Sequence, residues 1–284
     1  MKHFQALFFL LGFGVLFAGS AGQAAAPNIL LILADDMGWG DLRCHGNEKL
    51  DTPALDRLQS QSVELEHFHV SPVCSPTRSS LLTGRHHFCL RVLNTTSGLE
   101  TMHGEEVTLA EALKPAGYVS SCFGKWHNGS QWPFHPNARG FDEYFGTDVP
   151  NWPPYCFIDG DRTVGIPSEL LPASKLVKNQ ASLQGPALAD WQLEGILPAL
   201  ADRAEKFIKT QSEAKKPFLL YLPLTSPHTP LAVNPEWKGK SGLNNDFADL
   251  VMETDAVIGR VLEALKAGGV ENDTFVLFTS DNGC

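Results

Sequence analysis

Residues 28–36 read Asn-Ile-Leu-Leu-Ile-Leu-Ala-Asp-Asp, a continuous apolar run that ends in two carboxylates. An uninterrupted run of this length predicts a strand that is buried on both faces, as in a parallel sheet covered by helices. Residues 274–283, Thr-Phe-Val-Leu-Phe-Thr-Ser-Asp-Asn-Gly, have the same pattern and also end in polar side chains. The two stretches therefore predict central strands that carry polar groups at their carboxyl ends.

Two further apolar runs, residues 118–123 and 218–224, are followed by Gly-Lys-Trp-His and Thr-Ser-Pro-His. Between the four runs, apolar residues recur at helical spacing, which predicts helices at residues 53–61, 76–83, 109–116, 197–210 and 247–267. Strands that alternate with helices predict an α/β domain, with a mostly parallel central sheet and helices on both faces. Ligands of such sheets bind beyond the carboxyl ends of the strands, where every polar group named above would lie.

Residues 131–157 and 160–188 lack a clear period and are interpreted as long loops over the strand ends. The first of these stretches is rich in glycine, proline and aromatic residues. Its aromatic and polar side chains either stack on a sugar or simply pack the loop, and the sequence leaves both readings open. The side chains in question are Trp132, Phe134, His135, Arg139, Tyr144, Trp152, Tyr155 and Phe157.

The amino terminus has the features of a secretory signal peptide, residues 1–26. Lys2 precedes an apolar run at residues 6–18, and small residues follow. The apolar run is short for a membrane span, so an uncleaved anchor is the less favoured alternative. We expect an exported protein, periplasmic or secreted and without a stable membrane span, whose folded domain covers residues 27–284.

The amino-acid composition indicates a globular protein and limits its expected partners. The chain has 284 residues, of which 43% are hydrophobic, enough for a substantial core. Its formal net charge is -10 and it has no dense run of Lys or Arg, so nucleic acid is excluded as an expected partner. Six cysteines are spread over the whole chain without a Cys-x-x-Cys pair. They do not predict a disulfide framework, although one or two bridges remain open.

Residues 73–85 read Val-Cys-Ser-Pro-Thr-Arg-Ser-Ser-Leu-Leu-Thr-Gly-Arg. Cys74 lies where an extended run, residues 63–70, gives way to a helix with Pro76 in its first turn and Gly84 at its end. The N–H groups of the helix start, together with Arg78, would lower the pKa of a thiol or hold an anion. The alternative is that Cys74 is a buried small apolar side chain, the commonest state of a lone cysteine.

Oxygen ligands for a metal follow two of the predicted strands. Asp35 and Asp36 end the first strand, and Asp281 and Asn282 follow the last. These hard oxygen donors suit Ca²⁺ or Mg²⁺ better than a thiophilic metal. Each pair alone would also be typical of a turn or a helix cap.

Three basic side chains follow the other two strands. Lys125 and His127 alternate along an extended segment, which places them on the same side and suits an anionic ester. His228 lies in Ser-Pro-His-Thr-Pro, a rigid turn after a buried strand. For each of these residues, the alternative is an ordinary structural role.

The motif Cys-x-Pro-Thr-Arg with a downstream Leu-Thr-Gly-Arg resembles the signature of the formylglycine-dependent sulfatases, arylsulfatase-like enzymes of the alkaline phosphatase superfamily. The segments Gly-Lys-Trp-His-Asn-Gly and Pro-His-Thr-Pro are similar to two other motifs of that family and occur in the family's order. The resemblance implies an alkaline phosphatase-like fold and a sulfuric ester hydrolase. It also implies that a formylglycine-generating enzyme oxidises Cys74 to the aldehyde formylglycine.

The resemblance further implies a role for each candidate residue. The hydrated aldehyde attacks sulfur, Arg78 and Lys125 stabilise the charge, His228 protonates the leaving alcohol, and His127 accepts a proton. One calcium ion, with magnesium less expected, is bound by Asp35, Asp36, Asp281 and Asn282. The implied substrate is a sulfate ester, either a sulfated carbohydrate or an aryl sulfate.

The same motifs allow two other functions. The chain is alternatively a phosphonate monoester or phosphodiester hydrolase of the same superfamily, or an inactive remnant that binds metal or sulfated glycan. Family members continue beyond the Asp-Asn-Gly turn with another substrate-binding lysine and a smaller C-terminal domain. The resemblance therefore implies that residues 27–284 form an incomplete catalytic domain that lacks this C-terminal subdomain.

Overall fold

A computed structural model describes residues 26–177 and 180–284 of the chain. Apart from residue 26, the expected signal peptide lies outside the described residues. Within those two ranges, no helix is both long enough and apolar enough to cross a membrane.

The described residues contain nine strands and six α-helices. The strands are β1 (Asn28–Asp35), β2 (Val119–Lys125), β3 (Glu143–Thr147), β4 (Ile158–Asp159), β5 (Arg162–Thr163), β6 (Glu169–Leu171), β7 (Gly185–Ala187), β8 (Phe218–Pro227) and β9 (Thr274–Ser280). The helices are α1 (Pro53–Ser60), α2 (Cys74–Thr83), α3 (His87–Leu90), α4 (Leu109–Leu113), α5 (Ile196–Ala214) and α6 (Asp246–Ala267).

Seven strands form one sheet in the order β5-β4-β3-β2-β8-β1-β9. The five strands from β3 to β9 in that order are parallel, and β4 and β5 add an antiparallel edge. Strands β6 and β7 form a separate antiparallel pair. The predicted fold class, an α/β domain with a mostly parallel central sheet, is confirmed.

The core lies on both faces of the sheet. In β1, Leu30 and Ile32 pack with the buried residues of α5 and α6, whereas Leu31 and Leu33 pack with Leu82 of α2 on the opposite face. Side chains alternate across a strand, so a run that is apolar at every position can be buried on both faces. The continuous apolar run thus accounts for the central position of β1.

The structure differs from the sequence-based expectation in the two predicted loops. Strand β3 lies within residues 131–157, and strands β5 to β7 lie within residues 160–188. Strand β3 is only five residues long, and β5 to β7 have two or three residues each. Runs this short have no apolar pattern that separates them from a loop, because their pairing comes from neighbouring strands.

The extended run at residues 63–70 does not form a strand. Its side chains are exposed, including Val63 at 89% and Leu65 at 63% of their maximum. Its sequence, Val-Glu-Leu-Glu-His-Phe-His-Val, has a strand-like alternation, but no strand of the described residues pairs with it. His67 and His69 are therefore exposed side chains that point away from the core.

Candidate active site

The carboxyl ends of β1 and β9 bring four polar residues together. The two strands are parallel and in register, with Ala34 opposite Ser280, so the residues that follow each strand are neighbours. The backbone N–H of Asp36 donates to Asp281 Oδ1 at 3.1 Å. Asn282 donates through Nδ2 to Asp36 Oδ1.

Two cations neutralise the two innermost carboxylates. Lys125 Nζ donates to Asp35 Oδ1 and Oδ2 at 2.7 and 2.8 Å. Arg78 bridges the carboxylates, with Nη2 at 3.1 Å from Asp35 Oδ1 and 2.7 Å from Asp281 Oδ2. All four side chains have 0% exposure. Ions so fully removed from water persist only when they are paired and hydrogen-bonded, as they are here.

The charges of this network set the ionisation of Asp35. Burial alone would raise the pKa of its carboxyl group, but the charges of Lys125, His228 and Arg78 outweigh burial and lower the pKa to about 2. Burial by itself would lower the pKa of the Lys125 ammonium group. The negative charge of Asp35 outweighs burial and raises this pKa above its ordinary value. The pair is therefore ionised at neutral pH.

Cys74 is the first residue of α2 and is only 6% exposed. Burial raises the pKa of its thiol to about 12, because desolvation outweighs the opposing charge of Lys125. The expected lowering of this pKa is therefore wrong in its net direction: the charge of Arg78 does lower the pKa, but burial and the carboxylates of Asp35 and Asp281 outweigh it. A thiol with a raised pKa is a weak nucleophile at neutral pH. The helix ends as predicted at Gly84, whose φ of 65° is left-handed.

His228 lies immediately after β8 and completes the strand-end pocket, which is formed by Asp35, Asp36, Cys74 and His228. Its Nε2 is 3.6 Å from Asp36 Oδ2, and its Nδ1 contacts the carbonyl oxygen of Thr229. One potential ligand atom from each of Asp35, Asp36, Cys74 and His228 lies within 4.8 Å of the others. The structure thus brings together four residues that are up to 193 positions apart in the sequence.

His127 is held in a defined orientation at the end of β2. Its φ of 56° is left-handed, so the extended segment ends at Lys125 and simple alternation does not place the imidazole. His127 Nε2 lies 3.0 Å from the carbonyl oxygen of Thr95 and must carry the proton, because a carbonyl only accepts. Nδ1 is then a buried acceptor without a hydrogen-bond partner among the described residues. Burial lowers the pKa of His127 well below its ordinary value, so the ring is neutral.

Two residues that support His127 were missed from the sequence. Thr95 contributes its carbonyl oxygen, and Asp148 accepts the backbone N–H of His127 at 3.1 Å. Burial raises the pKa of Asp148 to about 6, in spite of this hydrogen bond. Neither residue lies in a recognisable motif. Asp148 lies directly after β3, at the same edge of the sheet, but β3 itself is not recognisable in the sequence, so no sequence signal identified this residue.

The residues predicted to bind calcium fit that ion chemically. Asp35, Asp36 and Asp281 supply carboxylate oxygens, and Asn282 supplies an amide oxygen. Asn282 Oδ1 is buried and has no hydrogen-bond partner among the described residues. A buried acceptor of this kind calls for a donor or a cation, and carboxylate and amide oxygens are the ligands that calcium prefers.

The aromatic candidates divide between the site and the rest of the structure. Trp152 packs edge-on against the His127 ring, with centroids 5.3 Å apart. Phe157 stacks instead on Phe145 of β3, at 4.8 Å, and packs against the core of the sheet. Trp132 is 66% exposed and stacks on His135. The remaining candidates are Phe134, Arg139, Tyr144 and Tyr155, and the last three are buried.

Comparison with known proteins gives a consistent result over nearly the whole chain. A protein-family model described as Sulfatase matches residues 27–284. The chain is 33% identical to mouse N-acetylgalactosamine-6-sulfatase over 98% of its own length and 54% of the relative's. It is 38% identical to mouse arylsulfatase G over 92% of its own length and 52% of that protein's. The chain therefore spans about half the length of the curated relatives it matches.

A solved structure shares the fold. It comes from work on glycosaminoglycan metabolism by Bacteroides thetaiotaomicron, and it superposes with a TM-score of 0.80 at 28% identity. The match covers 92% of this chain and 63% of that one.

Proposed function

The chain belongs to the sulfatase family, and from this premise we propose that it hydrolyses sulfate esters of carbohydrates. The observation that carries the proposal is the pocket at the strand ends. There Cys74 of the family signature lies with Asp35, Asp36 and His228, with one ligand atom of each within 4.8 Å of the others. The cations of Arg78 and Lys125 are buried beside them.

Charge is the first requirement of the reaction. Negative charge on the sulfuryl oxygens is stabilised by cations and donors that are fixed in place before the reaction. Arg78 and Lys125 meet this requirement, because their hydrogen bonds to Asp35 and Asp281 orient both side chains. A calcium ion bound by Asp35, Asp36, Asp281 and Asn282 would add positive charge beside the sulfuryl group.

The nucleophile is the second requirement. The raised pKa of Cys74 makes its thiol a poor nucleophile at neutral pH. The proposed reaction therefore requires a better nucleophile at this position, made by modifying Cys74 before catalysis. Formylglycine made from Cys74 by a formylglycine-generating enzyme would supply a hydroxyl nucleophile as its hydrate. His228 would protonate the leaving alcohol through Nε2, which requires the doubly protonated ring because Nδ1 already donates to the carbonyl oxygen of Thr229. The unprotonated Nδ1 of His127 would accept a proton.

The names of the relatives indicate the substrate to test first. The N-acetylgalactosamine-6-sulfatases suggest a 6-sulfated amino sugar, and arylsulfatase G suggests an aryl sulfate. We propose a sulfated carbohydrate as the natural substrate. Trp152, packed against His127, would stack on its sugar ring.

Sulfate release from N-acetylgalactosamine 6-sulfate and from an aryl sulfate tests this proposal. The protein is produced with a formylglycine-generating enzyme and assayed with calcium. We expect turnover of sulfate esters, loss of turnover in Cys74→Ala, and unchanged turnover in Cys89→Ala, since Cys89 is an exposed cysteine outside the pocket. Faster turnover of the matched aryl phosphonate would assign the chain to phosphonate hydrolysis instead. Glycan binding without any turnover would support the non-catalytic reading.

Export is a separate part of the proposal. Residues 1–26 would direct the chain to the periplasm or the medium and be removed during export, so that the catalytic domain begins near residue 27. Amino-terminal sequencing of the exported protein tests this, with a start near residue 27 as the expected result. A protein that retains Met1 and remains in the cytoplasm would contradict it.

A further inference from the structure

The pocket contains a second set of metal-binding atoms that differs from the calcium set. Cys74 and His228 offer sulfur and nitrogen within 4.8 Å of oxygens from Asp35 and Asp36. One sulfur, one nitrogen and two carboxylate oxygens are typical ligands of zinc, whereas calcium takes oxygen ligands only. We propose that, as long as Cys74 remains a thiol, the chain binds a zinc-like divalent cation through these four side chains.

His228 is already oriented as a metal ligand. Its Nδ1 contacts the carbonyl oxygen of Thr229, and that carbonyl can only accept, so Nδ1 carries the proton. The lone pair of Nε2 then faces Asp36 Oδ2 at 3.6 Å, which is too long for a hydrogen bond. A ligating histidine commonly donates its other N–H to a backbone carbonyl, and His228 has this arrangement.

The two carboxylates have coordination sites left. Asp36 Oδ1 accepts from Asn282, while Asp36 Oδ2 receives no hydrogen bond from the described residues. In the described part of the chain, the hydrogen bond to Asp35 Oδ2 comes from Lys125, at 2.8 Å, which leaves this oxygen a second lone pair. Asn282 is 8% exposed, and its Oδ1 has no hydrogen-bond partner in residues 26–177 and 180–284, although its Nδ2 donates to Asp36. This orphaned acceptor is an independent indication that a cation belongs at the pocket.

The balance of charge also favours a divalent cation bound by a thiolate. Lys125 and Arg78 already neutralise Asp35 and Asp281. Asp36 and a Cys74 thiolate would add two negative charges, which one divalent cation compensates. The thiol proton passes to solvent as the sulfur–metal bond forms, because the thiolate is the metal ligand.

A consequence follows for the proposed maturation. Oxidation of Cys74 to an aldehyde removes the sulfur ligand and leaves the oxygen ligands in place. The pocket would then prefer a hard cation such as calcium. Zinc binding to the thiol form itself does not depend on the proposed sulfatase activity, so each can fail without the other.

Cobalt(II) titration tests the proposal, because cobalt reports its ligands through visible absorption. The full chain is produced without a formylglycine-generating enzyme and carries Cys89→Ser, which removes an exposed thiol. We expect one equivalent of cobalt to give tetrahedral bands and a thiolate charge-transfer band, and zinc to displace it. The variant Cys74→Ser should lose the charge-transfer band, and its affinity for cobalt should fall at least ~10-fold. A loss of this size is already typical when only a residue that supports a metal ligand is removed.

A pair of histidine variants keeps the test decisive if Cys74→Ser does not fold. His228→Ala should also weaken cobalt binding at least ~10-fold, whereas His86→Ala, an exposed histidine outside the pocket, should leave it unchanged. Thermal unfolding verifies that each variant is folded. A charge-transfer band that persists in folded Cys74→Ser, bound cobalt without such a band, or equal affinity in the two histidine variants would overturn the proposal.

Discussion

Two pairs of buried carboxylates in this protein have opposite surroundings. At the strand ends, Asp35 and Asp281 face the cations Arg78 and Lys125 at 2.7 to 3.1 Å. On α6, Asp255 accepts the backbone N–H groups of Ala54 and Leu55 at 3.0 and 2.8 Å. Glu253, its neighbour on α6, accepts a single backbone N–H at 3.0 Å. Burial is similar in both pairs, but among the described residues only the first pair forms ion pairs with side-chain cations.

The difference appears in the ionisation of the two pairs. The pKa of Asp35 is lowered to about 2 because the cations outweigh burial. Burial dominates on α6 and raises the pKa of Glu253 to about 7 and that of Asp255 to about 6. Within the strand-end pair only Asp35 has a lowered pKa, because burial and the neighbouring Asp35 raise the pKa of Asp281. The α6 carboxylates hold chain segments in place through backbone N–H groups, whereas Asp35 maintains a fixed negative charge beside its cations. A perturbed carboxylate is therefore a sign of function here only where cations converge on it.

Removing a cation from the strand ends should have the largest effect on stability. Arg78→Met leaves two carboxylates with one cation, and breaking a buried ion pair in this way costs about 3–5 kcal/mol of unfolding free energy. Arg43→Met is the matched control, because the Arg43–Asp51 pair is more than half exposed, and its loss should cost less than about 1 kcal/mol. Urea unfolding measures both. Equal losses would show that the strand-end network does not depend on its cations.

Removing a carboxylate from α6 should have a smaller effect. Asp255→Ala leaves the two N–H groups at the start of α1 without acceptors. Loss of a helix cap costs about 1–2 kcal/mol of unfolding free energy. Asp202→Ala, which breaks an exposed contact with Arg260, is the control and should change little. A loss as large as that of Arg78→Met would remove the distinction between the two pairs.

The pH dependence of stability should distinguish the pairs by sign. The raised pKa of Glu253 means that its stabilising contribution is complete below its ordinary pKa of 4.5 and is lost as the pH rises through about 7. Asp35 has a lowered pKa, so it stabilises the folded protein fully above pH 3.8, its ordinary pKa, and loses this contribution as the pH falls toward about 2. Glu253→Gln should therefore reduce the decline in the free energy of unfolding between pH 4.5 and 7. The expected reduction is on the order of 1 kcal/mol once solvent screening is included.

Urea unfolding at a series of pH values checks this prediction. A variant that is less stable than the wild type at pH 8, with an unchanged slope, would show that Glu253 is ionised without penalty.

The smallest expected effect concerns the loop beside the strand ends. If Trp152 stacks on the sugar, Trp152→Ala should raise KM for a sulfated sugar by roughly 5-fold, about 1 kcal/mol of lost stacking, and leave kcat unchanged. An aryl sulfate assay shows whether the effect is specific to the sugar. Trp132→Ala is the control, because Trp132 is exposed and stacks on His135 away from His127. Equal effects of the two substitutions would assign Trp152 to loop packing.

Most of the fold could be predicted from apolar periodicity. The runs that begin at residues 28, 218 and 274 became β1, β8 and β9, and α6 begins one residue before its predicted start. Strand β3, Glu-Tyr-Phe-Gly-Thr, could not be predicted, since its pairing with β2 rather than its own composition makes it a strand. The alternating run at residues 63–70 shows the converse, because a strand-like pattern forms no strand without a neighbour to pair with.

The candidate site was less predictable than the fold. Motifs indicated which residues converge, but the raised pKa of Cys74 depends on burial by elements that are distant in sequence. The orientation of His127 depends on Thr95 and Asp148, which are 32 and 21 positions away. Its left-handed backbone also departs from the extended continuation that the sequence pattern predicted. The catalytic and metal-binding roles of these residues remain predictions.

Peptide mass spectrometry across Cys74 tests the central claim most directly, on protein exported from a host that contains a formylglycine-generating enzyme. The proposed mechanism predicts a peptide mass in which an aldehyde replaces the thiol of Cys74. An unmodified Cys74 in that host would contradict the mechanism, because a buried thiol with its pKa raised to about 12 offers no comparable nucleophile.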